Sequence, residues 1–134
     1  MTPAANKAFV QELLEARARG NPSVFIAAMA EDFVWRIIGS TRWSGEYVGK
    51  AAVLERLLKP LYAQLTAPTR IEAKRILADE DYVVVECTGD ATTVSGERYA
   101  NTYCWVIRLV DGKLRELTEY MDTALVDRVL QPPR

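Results

Sequence analysis

The sequence contains no histidine. That absence removes Ser-His and Cys-His catalytic pairs, histidine general bases, histidine metal ligands and histidine pH switches. Cysteine is nearly as scarce. Cys87 and Cys104 are too few for a four-ligand zinc site and are not spaced as a CxxC redox motif. The N-terminal stretch from Met1 to Lys7 has no apolar core of the kind that marks a secretory signal, so the expectation is a cytoplasmic protein with reduced thiols. No apolar run approaches the ~18 residues of a membrane-spanning helix, and no contact with a membrane is expected. Charge of one sign is also missing. Lys and Arg total 17, Asp and Glu total 18, and the net charge is −1. Nucleic-acid binding leaves a basic excess that this chain does not have.

Cofactor motifs are absent too. Gly45, Gly49 and Lys50 echo a phosphate loop, but the GxxxxGK[ST] spacing is not there. The acidic run Asp79-Glu80-Asp81 reads as a solvated turn rather than a metal site. No metal and no organic cofactor is expected.

What is present is an ordinary globular composition, 49% apolar and 26% charged over 134 residues, the size of one domain spanning 1–134. A chain of this length buries roughly 65–70% of its unfolded surface and needs no staples. Phe9, Val10, Leu13, Leu14 and Ala16 recur at helical spacing, with Glu12, Glu15 and Arg17 between them and Gly20 as the stop. Asn21-Pro22 opens a second short helix through Met29. The period then becomes two: Phe33, Trp35 and Ile37 alternate with Val34, Arg36 and Ile38, as in a strand. Residues 39–49 read as a loop. A third helix carries Val53, Leu54, Leu57, Leu58, Leu61, Tyr62 and Leu65, with Pro60 predicting a kink or break. Strands follow over 70–78, 82–89, 98–110 and 114–121, then a short helix over 122–130. Helices first and antiparallel strands after them make an α+β layout, a curved sheet whose concave face the helices cover.

Glu119 is the most informative position. Period 2 puts Leu117, Glu119 and Met121 on one face of the last strand. An ionised carboxylate between apolar neighbours on an inward face is costly, so its pKa must rise or its oxygens must find donors. Two readings stand: a structural acid satisfied by the protein, or a perturbed acid marking a site. A three-residue loop at Val110-Asp111-Gly112 would place Glu119 opposite Tyr103, Trp105 opposite Leu117 and Asn101 opposite Met121. A two-residue loop would slip the register by one and bring Cys104 beside Glu119. The first grouping is preferred because it joins Tyr99, Asn101, Tyr103, Trp105 and Ile107 to the apolar face of the last strand. Asn101, Tyr103 and Glu119 then form a polar cluster within an aromatic wall, either core residues with satisfied polar atoms or the convergent groups of a ligand pocket. Trp35, Ile37, Trp43 and Tyr47 are candidate further walls, together with Val85, Cys87, Trp105, Leu117 and Met121. Val83, Val85 and Cys87 alternate inward, and Cys87 reads as a small buried hydrophobe.

Several segments together resemble the nuclear transport factor 2-like superfamily, in particular its SnoaL-like and ketosteroid-isomerase-like members. They are Ala30-Glu31-Asp32-Phe33-Val34-Trp35 after two helices, Trp43-Ser44-Gly45-Glu46-Tyr47-Val48-Gly49-Lys50 before the third, residues 99–105 reading YANTYCW, and Asp111-Gly112-Lys113-Leu114 followed by Glu119-Tyr120-Met121-Asp122-Thr123. The resemblance covers nearly the whole chain. It implies a cone-shaped α+β barrel with a deep pocket and a homodimer formed through the outer sheet face. In the limonene-epoxide-hydrolase pattern, an Asp–Arg–Asp set works with a Tyr and an Asn. Glu119 stands where one acid stands, but the Arg position reads Cys87, the other Asp position Gly89, and the Tyr and Asn positions Trp35 and Ile37. The set is incomplete, and the ketosteroid-isomerase set is not matched position by position either. The expectation is a protein that binds a small, apolar, oxygenated molecule. If catalytic, it is a cofactor-independent isomerase, cyclase or dehydratase, with Glu119 as general acid or base, Tyr103 donating to an oxyanion and Asn101 orienting the substrate. The alternative is a non-catalytic binding or dimerisation module in which Glu119 is structural.

Overall fold

A computed structural model describes residues 1–133. Helix α1 (Pro3–Ala18) starts on Thr2, whose side chain accepts the Ala5 N–H at 3.0 Å, with Pro3 in the first turn where no N–H is required. It stops at Gly20, φ +81°, where the N–H groups of Gly20 and Asn21 close onto the carbonyls of Arg17 and Ala16. That pattern is a Schellman cap. Asn21 then accepts from the Ser23 backbone N–H and hydroxyl at the head of α2 (Ser23–Ala27). This helix is shorter than its apolar spacing suggests, because Met29 already begins strand β1 (Met29–Ile37).

Residues 39–49 are not all loop. Gly45–Val48 forms a short strand, β2, antiparallel to β1. The third helical stretch has three parts: α3 (Lys50–Ala52), a π-helical segment (Val53–Leu58) and α4 (Lys59–Ala63). Pro60 lies in the first turn of α4. It has no N–H to give the preceding turn, and the wider π-helical winding just before it absorbs that break.

Strands β3 (Arg70–Asp79), β4 (Tyr82–Thr92), β5 (Arg98–Tyr99), β6 (Thr102–Val110) and β7 (Lys113–Met121) complete one seven-stranded sheet. Its order is β2-β1-β7-β6-β4-β3, with β5 pairing the far end of β4. The sheet is mixed rather than wholly antiparallel as the sequence suggests, since β1 runs parallel to β7 while every other pairing is antiparallel. Register shifts interrupt β1, β3 and the β6–β7 pair, and such bulges bend and twist a sheet. The result is the curled α+β cone expected for this superfamily. Helix α5 (Thr123–Val129), N-capped by Asp122, follows β7 and buries Val126 and Val129.

The core lies between the helices and the concave face. Val10, Leu13, Leu14 and Phe25 come from α1 and α2, and Val53 and Leu57 from the π-helical segment. They meet Phe33, Val83, Val85, Trp105, Ile107 and Leu117 of the sheet, all at most 3% exposed. Each such side chain contributes roughly 1.5–3 kcal/mol on burial. The opposite face of the sheet is mixed, with Val48, Leu77 and Tyr120 exposed beside charged side chains. Arg36 there bridges Glu46 and Glu116, and Arg108 bridges Asp81 and Glu116. Among the described residues, no helix is long and apolar enough to cross a membrane.

Candidate functional site

The hairpin between β6 and β7 sets the position of Glu119. Its turn has two residues, Asp111 and Gly112, both at positive φ (50° and 73°). Val110 therefore pairs with Lys113, as in a type I′ turn. A bulge follows: Leu109 faces Leu114 but Arg108 faces Glu116, leaving Arg115 over. The extra residue moves the register on by one more place. Glu119 lies opposite Trp105, Met121 opposite Tyr103 and Leu117 opposite Ile107. Neither sequence-derived pairing, Glu119 with Tyr103 or with Cys104, is formed. The face assignment survives, because the observed register differs from the preferred one by two residues, a full side-chain period.

The cross-strand pair supplies the central contact. The Trp105 indole N–H donates to Glu119 Oε2 at 2.8 Å, and Glu119 is only 7% exposed. Burial pushes the carboxyl up to about 7, opposed by the Trp105 hydrogen bond, by the Trp35 indole and by the charge of Arg17. Trp35 Nε1 faces this carboxyl without a hydrogen bond of normal geometry and has no other partner.

A cavity opens beside Glu119, with about 50 Å³ available to the centres of water-sized spheres. That is room for a few small groups. Its walls include Trp35 and Ile37 of β1, Trp43, Tyr99, Tyr103 and Trp105, and Met121. Leu57, Leu58, Leu61 and Tyr62 close it from the helical side, and Val126 and Leu130 from the C-terminal segment. That segment is strapped in place: Gln131 O accepts from Trp43 Nε1 at 2.8 Å and from Gln64 Nε2 at 3.1 Å. Burial raises the Tyr62, Tyr99 and Tyr103 phenols, that of Tyr103 well above its ordinary value. All three stay protonated at neutral pH as hydrogen-bond donors.

Of the twelve residues singled out in the sequence, seven line this cavity: Glu119, Tyr103, Trp35, Ile37, Trp43, Trp105 and Met121. The other five are buried elsewhere. Asn101 is committed to the backbone. Its Oδ1 accepts from Thr102 N and Asp122 N, and its Nδ2 donates to Tyr99 Oη and Asp122 O. No atom of its amide is left to orient a substrate; it pins the end of β7 to the start of β6. Tyr47 donates to Trp43 O at 2.8 Å and packs behind the wall. Val85, Cys87 and Leu117 are at most 1% exposed core residues deeper in the cone. Burial pushes the Cys87 thiol up to about 12, which leaves it inert as a nucleophile.

Gly89, the position at which the resemblance implies a second acid, has no room for a side chain. A Cβ there would stand 2.8 Å from Tyr103 Cε2 and 3.0 Å from Thr69 Cγ2. The Tyr103 ring occupies the space a second carboxylate would need.

Of the ten lining residues outside the sequence-derived set, Arg17 is the charged one. It lies four residues after Leu13 and three after Leu14, so it continues the buried stripe of α1, and it is 5% exposed. Arg17 lines the cavity, and its guanidinium carbon lies 5.5 Å from the Phe25 ring centroid and 5.9 Å from that of Trp105. A basic residue in phase with an apolar stripe was the available signal.

In comparison with known proteins, the family model for a SnoaL-like domain matches residues 10–117. No curated protein matches the chain. Solved structures do. An NTF2-like protein of unknown function from Burkholderia pseudomallei is 22% identical with a TM-score of 0.79, over 98% of this chain and 99% of that one. A candidate hydroxylase from Streptomyces galilaeus is 25% identical with a TM-score of 0.75, over 96% and 86%. A candidate SnoaL-like polyketide cyclase from Jannaschia is 15% identical with a TM-score of 0.77, over 100% and 98%.

Proposed function

The chain belongs to the SnoaL-like domain family, and from that premise we propose that it binds a small, largely apolar, oxygenated molecule in the cone and moves a proton on it through Glu119. One observation carries the reading: a single carboxyl, buried to a pKa of about 7, sits in a cavity walled by aromatic rings. A group with that pKa is divided between its acid and base forms at neutral pH, the condition that favours general acid–base catalysis. As base, Glu119 takes a proton from a carbon next to a carbonyl, and the electron pair moves onto the carbonyl oxygen. Tyr103, neutral and facing the same cavity, donates to that developing oxyanion. The protonated Glu119 then returns the proton to another carbon, which is an isomerisation. Alternatively, the enolate carbon closes a ring onto a second carbonyl and the new alkoxide takes the proton, which is a cyclisation. The similarity in fold to a candidate polyketide cyclase is in keeping with this class.

The test is deuterium incorporation in D2O, read by NMR, with small cyclic enones, small ketones and small 1,3-diketones as probes. The wild type is expected to wash out α-protons of at least one binder, and Glu119→Gln is expected to bind it without exchange. Equal exchange by both proteins would refute the assignment. The Trp105–Glu119 hydrogen bond favours a second reading, in which Glu119 serves only to satisfy an indole; binding with no exchange in the wild type would establish it. Dimerisation through the outer sheet face belongs to the same proposal, and sedimentation equilibrium tests it.

A further inference from the structure

Arg17 is a buried cation without an anion. Among the described residues, no carboxylate oxygen lies within 4 Å of its guanidinium. Its one hydrogen bond is a long one, 3.5 Å from Nη2 to the Thr69 carbonyl, and its Nε has no partner at all. A guanidinium has five N–H donors in a planar fork suited to an oxyanion. A buried charge normally carries a counter-charge and a full set of hydrogen bonds. Phe25 and Trp105 hold the group by their ring faces, which fixes its place but leaves most of its N–H donors without an acceptor. Arg17 lines the same cavity as Glu119.

We propose that Arg17 anchors an anionic group of the ligand, a carboxylate or an acidic enol or phenol, so that the cavity selects an acidic molecule over its neutral counterpart. The inference rests on the reading of the cone as a ligand site, and it specifies the chemistry of that ligand. Trp105 links the two ends of the site, its indole N–H on Glu119 and its ring against Arg17. The titratable and charged groups near enough to feel the charge of Glu119 are Arg17 of α1, Tyr47 of β2, Tyr62 of α4, Cys87 of β4, Tyr99 of β5 and Tyr103 of β6. The phenols and the thiol are raised and stay neutral, so Arg17 is the lone charge among them. An anion entering this enclosure opposes ionisation of Glu119, and its binding takes up a proton there.

Benzoate and benzamide, alike in shape and different in charge, are the probes, titrated by calorimetry at pH 6 and 7. Benzoate is expected to bind at least about tenfold tighter than benzamide, the worth of one charge-assisted bond. Arg17→Met is expected to bring the ratio near one, and Arg17→Lys to restore part of it. At pH 7, comparison of heats in phosphate and Tris is expected to show uptake of about half a proton per benzoate and none per benzamide. If Arg17→Met does not fold, the wild-type ratio and the proton count decide. Benzamide bound as well as benzoate, or a preference unchanged in Arg17→Met, overturns the anion anchor and leaves the ligand site standing. Binding of neither probe to the wild type overturns both.

Discussion

Replacing Glu119 by Gln should change how stability depends on pH more than it changes stability at any one acidic pH. The carboxyl titrates at about 7 in the folded chain and near its ordinary 4.5 when unfolded. Between those values the folded state holds the proton that the unfolded state has lost, so stability falls as pH rises through this window and levels off above pH 7. Below pH 4.5 both states are protonated and Glu119 imposes no electrostatic cost. The difference corresponds to about 3 kcal/mol between pH 4.5 and 8, at roughly 1.4 kcal/mol per pKa unit. Gln keeps an oxygen that can accept the Trp105 indole N–H and has no charge to bury, so its stability should stay flat across the same range. Urea denaturation of both proteins at pH 5, 6, 7 and 8 measures this directly. Asp81 and Glu116, held low by Arg108 and Arg36, act at lower pH and cancel in the comparison. The variant should be close to wild type at pH 5 and more stable by about 3 kcal/mol at pH 8. Parallel curves would refute the reasoning, since they would mean that Glu119 ionises as easily inside the cone as outside it.

Two further outcomes follow from the same geometry. Gly89→Ala adds a methyl 2.8 Å from the Tyr103 ring, so it should cost roughly 1–3 kcal/mol in urea denaturation through overpacking and should shift the Tyr103 ring resonances. Cys87, at 1% exposure with its thiol raised to about 12, should resist a thiol-specific disulfide reagent at pH 8 in the native protein and react once denatured; fast native labelling at Cys87 would contradict its place in the core.

Most of the helices and strands, the inward face of the long strands and the presence of one acid on that face were legible in the sequence, because they depend on local periodicity; β2 and the break between β5 and β6 were not. Phe33, Trp35 and Ile37 alternate whatever they pair with, and Leu117, Glu119 and Met121 share a face in any register that slips by two. The sequence could not say what Glu119 stands against. A two-residue turn at Asp111-Gly112 and a bulge at Arg115 together set that register, and a bulge is chosen by the curvature of the whole sheet rather than by its own residues. The parallel pairing of β1 with β7 joins segments about eighty residues apart and leaves no local trace. Asn101 reads as polar and inward from its strand position, and only the approach of Asp122 turned it from a substrate contact into a backbone clamp. Arg17 shows the division most clearly. Its phase on α1 was there to be read, but its isolation from any carboxylate exists only once α1 lies across the sheet and Phe25 and Trp105 close on it. Periodicity decides which side chains face inward; long-range packing decides which of them meet and which polar groups are left without a partner.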